Sequence, residues 1–263
     1  MRKQASIKAF LKRYGLKIFA ICFWLLFWEV MSRRDSLELI LASPAASLGA
    51  LFELCKNYDF WLTIMFSSLR IVMGFVLAMS VGTVLAIGSH QSKLIKELIS
   101  PVMKIIKAMP VASFIILALM WINVKNLSVL ISFMMVVPMI YANVAQGLKS
   151  TDEKLLQMAK VFQLSRFKKV TAIYVPAVMP YFISAVSVGL GFCWKAGIAA
   201  EVIGRPTGSI GEQLYEAKLY WMIPELFAWT IVIIIISVLF EKAVLLLFRS
   251  LQSDRSKQGE EIG

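Results

Sequence analysis

The chain has 263 residues, of which 59% are hydrophobic and only 17% charged, and it carries a formal net charge of +12. A soluble domain is charged at about 25% of its positions, so this composition excludes an ordinary soluble fold and describes a polytopic membrane protein. Its length accommodates about six spans of ~20 residues joined by short loops.

Apolar stretches with few charges predict an all-α protein with six transmembrane helices at about 18–32, 60–89, 108–124, 126–148, 172–200 and 226–248, in one transmembrane domain over 1–263. Basic residues ahead of the first stretch suggest a secretory leader. However, Ser32-Arg33-Arg34-Asp35 follows it and no A-x-A site is adjacent, so an uncleaved first helix is expected. The second stretch carries Gly74, Ala78, Gly82 and Ala86 at four-residue spacing, and the fifth repeats the device with Ala185, Gly189, Cys193 and Gly197. Small stripes let helix backbones approach closely in lipid, either within one subunit or at a subunit interface that slides. Pro110, Pro138, Pro176 and Pro180 lie in or beside spans three to five, where each removes a helix hydrogen bond and invites a kink.

Glu29 and Glu241-Lys242 lie near span ends, whereas Arg70 in the second stretch and Lys195 and Glu201 toward the outer end of the fifth call for separate weighing. Intramembrane charges are costly and face protein or water. Two readings follow: a structural clamp between opposite charges, or a translocation path in which Arg70 and Lys195 attract an anion.

Twenty of the 28 Lys and Arg fall at the N-terminus, after spans two and four, and at the C-terminus, against six in the alternate loops. The positive-inside rule then expects both termini in the cytoplasm, and the basic charge reports topology instead of nucleic-acid binding.

The loop after span four is the most structured of these. Ser150 and Glu153 have capping-box spacing, which predicts a helix from about Asp152 with Leu155, Met158, Ala159 and Phe162 on one face. Ser165 is a second cap, ahead of Arg166-Phe167-Lys168-Lys169. Two short amphipathic helices over 151–169 therefore present an apolar face flanked by cations, suited to anionic lipid or to docking a cytoplasmic partner.

Catalytic chemistry finds no foothold. Cys22, Cys55 and Cys193 are far apart with no CxxC, and the single histidine, His90, excludes a two-histidine metal site. No Gly-Lys dipeptide exists, so there is no P-loop for ATP, and Asp35, Asp59, Asp152 and Asp254 all lie outside the apolar runs.

Within the loop, Gln157-Met158-Ala159, three residues, Gln163, nine residues and Ile173-Tyr174-Val175-Pro176 follow the spacing of the EAA-x3-G-x9-I-x-L-P loop of ABC importer permeases. The identities differ at Gln157, Met158, Gln163 and Val175. Further matches to the nitrate/sulfonate/taurine type are Leu41-Ala42-Ser43-Pro44 with Leu48 and Leu51, Ser68-Leu69-Arg70 with Gly74, and Pro101, Pro110, Pro138, Asn143 and Gly147. Trp194 through Ala199-Ala200-Glu201 completes a resemblance covering most of the chain.

The resemblance implies a type I importer permease in a prokaryotic inner or plasma membrane. Two copies would form the pore with a cytoplasmic ABC ATPase dimer, an extracytoplasmic solute-binding protein and membrane lipid as partners. It implies ATPase coupling through Gln157, Met158, Ala159, Phe162, Gln163, Leu164 and Pro176, with no cofactor on this chain and ATP and magnesium on the ATPase. The solute would be a sulfonate-, taurine- or nitrate-like anion or a pyrimidine vitamin precursor. Glycine is absent at Gln163, where a left-handed turn would be strained. A stand-alone channel or secondary carrier would instead favour acidic relays or inverted repeats, and a non-transporting scaffold would not need the spaced loop.

Overall fold

The computed structural model describes residues 2–34 and 40–260, with the side chains of 15–34 and 40–248. In chain order the helices are α1 (Arg2–Ser32), α2 (Pro44–Cys55), α3 (Tyr58–Gln91), α4 (Lys93–Ala108), α5 (Val111–Ala118) and α6 (Val124–Lys149). They continue with α7 (Glu153–Val161), α8 (Arg166–Lys169), a π-helical turn (Val170–Tyr174), α9 (Val175–Gly204), α10 (Ile210–Leu219) and α11 (Ile223–Glu260). No strand occurs among the described residues, and the all-α expectation holds. Among the described residues, five helical segments are long and apolar enough to cross a membrane: Gly15–Ser32, Tyr58–Gln91, Val124–Lys149, Arg166–Gly204 and Ile223–Phe248.

The third expected span differs. Residues 108–124 do not form one helix; α4 and α5 meet at a 105° bend, and this broken pair is the sixth candidate span. Pro110 forces the break. Met109 ahead of it is extended, at φ −72° and ψ 130°, as the residue before proline prefers. Searching for uncharged runs missed α4, because Lys93, Lys96, Lys104 and Lys107 recur at helical spacing along an otherwise apolar segment. Two shorter helices were also not expected: α2, begun by Ser43 as N-cap with Pro44 in its first turn, and α10.

The chain divides into two compact units. In the smaller, residues 1–61 and 213–231, the Trp28 indole donates to the Ala42 carbonyl at 3.0 Å and its ring lies 5.6 Å from that of Phe227. Phe60 and Trp229 pack at 4.9 Å between centroids.

The larger unit, residues 62–212 and 232–263, is built on α3, α6 and α9. The contacts pair Gly147 with Val178, Val136 with Gly189, and Leu127 with Gly204, so α6 and α9 run antiparallel. Gly74 meets Ser132 and Gly82 meets Ile140, so α3 runs parallel to α6. The Ser132 hydroxyl donates across to the Cys193 carbonyl at 3.1 Å. Ala78, Ala86, Ala185 and Cys193 are buried within this chain. The small stripes are therefore packing surfaces inside one subunit, and the subunit-interface alternative does not describe these residues.

Aromatic rings fill part of the interior, where Phe240 of α11 packs edge-on against the buried Phe75 and Trp194. Ile115 and Ala118 of α5 join Leu127, Ile131, Ala196 and Ala200 in a fully apolar cluster.

A Cβ at Gly197 would stand 2.6 Å from both Ile71 Cγ1 and Ser132 Oγ, whereas one at Gly191 meets nothing within 4 Å. Gly197→Ala is expected to cost about 1–3 kcal/mol through overpacking. Gly191→Ala on the same helix should be neutral or gain about 0.5 kcal/mol from helix propensity. Melting temperatures in mild detergent check the pair, and equal shifts would contradict this packing.

Candidate functional site

Two sites lie toward opposite ends of α9: the α7–α8 segment and a buried charge node. The first begins where α6 stops. Ser150 does not cap α7. Its backbone, at φ −82° and ψ 5°, remains in the last turn of α6, and its hydroxyl donates back to the Gly147 carbonyl at 3.0 Å. Asp152 has the extended backbone an N-cap needs, and its carboxylate accepts from the Lys154 N–H at 2.8 Å. This corrects the capping box expected from Ser150.

α7 ends in a Schellman turn. The Leu164 N–H donates to the Ala159 carbonyl at 2.9 Å and the Gln163 N–H to that of Lys160 at 3.1 Å. The residue between the helix cap and Leu164 must be left-handed, and Gln163 is, at φ 47°. The glycine position of the loop motif thus has a physical basis, and Gln163 occupies it under strain. Ser165 then caps α8, accepting from the Lys168 N–H at 3.3 Å as expected.

The chain continues into the π-helical turn, where the Val175 N–H reaches back to the Val170 carbonyl. Pro176 next to it supplies no donor to restore the ordinary ladder.

This geometry sorts the expected coupling residues. Gln157, Met158, Phe162, Gln163 and Pro176 are exposed and Leu164 is half-buried. Ala159 is buried, at 4% exposure, so it belongs to the inner face of α7 and is removed from the contact surface. Val161 and Phe167, both 78% exposed, join Phe162 at 70%. Neither was singled out, because helical periodicity places Val161 off the Met158–Phe162 stripe and Phe167 lies across the turn. Lys154, Lys160, Arg166 and Lys168 surround this apolar surface and are exposed.

The second site centres on Glu201, which is fully buried. Its carboxylate accepts from the Ser67 hydroxyl at 2.7 Å and from the Gly211 N–H at 3.4 Å, while Arg70 pairs with it at 3.9 Å. The Ser67 hydroxyl accepts in turn from the Ile210 N–H at 2.9 Å. Glu201 therefore sits at the positive N-terminal end of α10 and, with Ser67, accepts from N–H groups that the helix itself leaves open, Glu201 from Gly211 and Ser67 from Ile210.

The return from α9 to α10 is tight. Arg205 is left-handed at φ 51° and Gly208 at φ 73°. Ser209 caps α10 by accepting from the Glu212 N–H at 3.0 Å, while the Glu212 carboxylate accepts from the Gly208 N–H at 2.6 Å. A side chain at Gly211 would collide with the backbone of Glu201 and Val202. Ser67 and Gly211 were not anticipated; the signal that could have located this end of α10 is the three-residue spacing of Ser209 and Glu212. Lys195 takes no part: it is exposed on α9, with its Nζ 5.9 Å from the Phe192 ring centroid.

Comparison with known proteins places this architecture. The family model for the binding-protein-dependent transport system inner membrane component matches residues 71–257. The chain belongs to this family. It is an ABC importer permease, a multi-pass protein of the bacterial inner membrane, and a transport subunit as opposed to an enzyme.

Among its relatives, the putative aliphatic sulfonates transport permease protein of Bacillus subtilis is 23% identical over 254 residues, covering 95% of this chain and 91% of the relative. The nitrate import permease protein of Synechocystis sp. is 24% identical, covering 86% and 84% respectively. The bicarbonate transport system permease protein of the same organism is 26% identical, covering 76% and 75%. Membership in the family implies an ATPase and a solute-binding protein as partners of the permease.

Two predictions follow from these sites. Gln163→Gly relieves the left-handed strain and should stabilise the turn by about 0.5–1 kcal/mol after the entropy of glycine is counted. Slower hydrogen exchange at the Leu164 amide in the variant is the readout. Glu201→Ala leaves Arg70 without its counter-charge and the Gly211 N–H without its acceptor and should cost about 3 kcal/mol. Glu201→Gln keeps an oxygen for Ser67 and should cost less, as read by thermal unfolding in detergent.

Proposed function

We propose that two copies of this permease form the transmembrane pathway of an importer, and that each docks a cytoplasmic ATPase on its α7–α8 surface. The observation that carries this reading is the exposed face of Met158, Val161, Phe162 and Phe167, held in place by the Schellman turn. Exposed apolar side chains of this size on short helices mark a protein contact. The surrounding lysines and Arg166 add charge complementarity, which mainly sets docking rate and partner choice. ATP and magnesium belong to the ATPase, and its closure on ATP displaces α7–α8 and reorients the pathway. With the positive-inside bias this surface is cytoplasmic, and so are both termini.

For the pathway, Arg70 is already compensated by Glu201, which favours the clamp reading for that pair. Lys195 is different. A lysine on a membrane-spanning helix is costly against lipid and turns to water or protein, so its face of α9 is assigned to the pathway. A cation there and relatives named for sulfonates, nitrate and bicarbonate together support a small anion as solute.

The test is affinity purification from native membranes in mild detergent with mass spectrometry of bound proteins. The wild-type chain should recover a P-loop ATPase in equal ratio, with a solute-binding protein on the opposite side. Phe162→Asp with Phe167→Asp should lower ATPase recovery by about tenfold or more, since truncation of central aromatic contacts costs at least about 2 kcal/mol. Undiminished recovery would refute the docking surface.

A further inference from the structure

Two cavities in the larger unit meet at His90, and together they have the shape and polarity of an amphipathic molecule. The first, of about 410 Å³, is an apolar groove between the ends of α3, α6 and α9 and the π-helical turn, with Ile87, Leu148, Val170, Val178 and Phe182 in its walls. The second, of about 440 Å³, opens between α3, α4 and α6 and is lined by Lys93, Lys96 and Lys149. Ser89, Tyr141 and Gln146 add neutral hydrogen-bonding groups to it, and Glu97 is the acid in its lining. His90 lines both cavities.

Each half alone specifies an incomplete ligand. An apolar groove on a membrane protein is filled by hydrocarbon at no cost, whereas water in it lacks partners. Three ammonium groups around one polar cavity call for an anion with several acceptor oxygens. A free phosphate would leave the groove empty, and a zwitterionic lipid would leave the lysines with little net attraction.

The pair lies at the lysine-rich end of the helices, where a basic pocket between transmembrane segments meets lipid headgroups. We propose that these cavities seat one anionic phospholipid, with an acyl chain along Ile87, Val170 and Phe182 and the phosphate against Lys93, Lys96 and Lys149.

The seat adjoins the joint between α8 and α9. Tyr174 of the π-helical turn packs edge-on to His90 at 6.0 Å and lies under Lys169 Nζ at 5.8 Å. Lipid in the groove braces that turn, so the composition of the membrane acts on the element that links the α7–α8 segment to α9. The assignment rests on the cavities and on membrane placement, and it stands independently of which partner α7–α8 docks.

Native mass spectrometry of the full-length chain, purified in the complex it forms, tests the seat. The probes are phosphatidylglycerol, phosphatidylcholine and inorganic phosphate. Phosphatidylglycerol should be retained about tenfold more tightly than phosphatidylcholine, the scale set by a few lysines on one phosphate. Replacing Lys93, Lys96 and Lys149 together by Gln should bring the two lipids within about twofold of each other. Lys125→Gln, at the far end of α6, should leave the preference intact.

Ile87→Trp fills the groove and should abolish retention of both lipids, and Val170→Trp fills it from another wall and is read the same way. Equal retention of the two lipids by the wild-type chain would overturn the proposal. So would full retention in both tryptophan variants. Displacement of phosphatidylglycerol by millimolar inorganic phosphate would instead assign the basic cavity to a free anion.

Discussion

The larger unit depends on backbone-distance contact among α3, α6 and α9. Between lipid and protein no hydrophobic gain drives helices together, so association rests on van der Waals contact and a few interhelical hydrogen bonds. Gly74 and Gly82 of α3 lie against α6, Gly147 of α6 against α9, and Gly189 and Gly197 of α9 against α6 and α3. A single added carbon at Gly74, Gly82 or Gly197 would fall within 3 Å of a neighbouring helix. With the backbones this close, the Ser132 hydroxyl reaches the Cys193 carbonyl, and α5 finds an apolar surface on which to pack.

That packing makes α9 the element joining the two sites. It spans Val175–Gly204, about 45 Å at 1.5 Å per residue. At one end the π-helical turn and Pro176 attach it to the exposed α7–α8 surface. At the other, Glu201 is clamped by Ser67, Arg70 and the Gly211 N–H of α10. A helix held by packing along its length and anchored at a buried carboxylate resists local bending. The backbone is irregular at both ends of α9: the π-helical turn and the strained Gln163 on the α7–α8 side, and the left-handed Arg205 and Gly208 on the α10 side.

Much of this was legible beforehand because membrane spans declare themselves through composition. The long apolar helices, the buried small stripes and the two short helices between α6 and α9 followed from runs and spacings in the sequence. The failures have specific causes. Lysines at helical spacing hid α4 from a search for uncharged runs, and Pro110 then broke the third span. Ser150 has the right residue type for a cap but stays in the last turn of α6, so Asp152 two residues later takes the role. Ala159 shares a stripe with Met158 and Phe162 by periodicity, yet the side of α7 that packs inward includes it.

The sequence by itself determined the class of protein, its helical content, its family and the place of the α7–α8 segment. These rest on local composition, on caps and on residue spacing, all of which act over a few turns. Only the tertiary structure decided that Arg70 pairs with Glu201, that Lys195 stands apart from both, and that Ser67 and Gly211 complete the node. Those partners come from helices separated by up to 143 positions along the chain. Which side chain faces which follows from the rotation and depth at which the helices pack, and no local pattern encodes that.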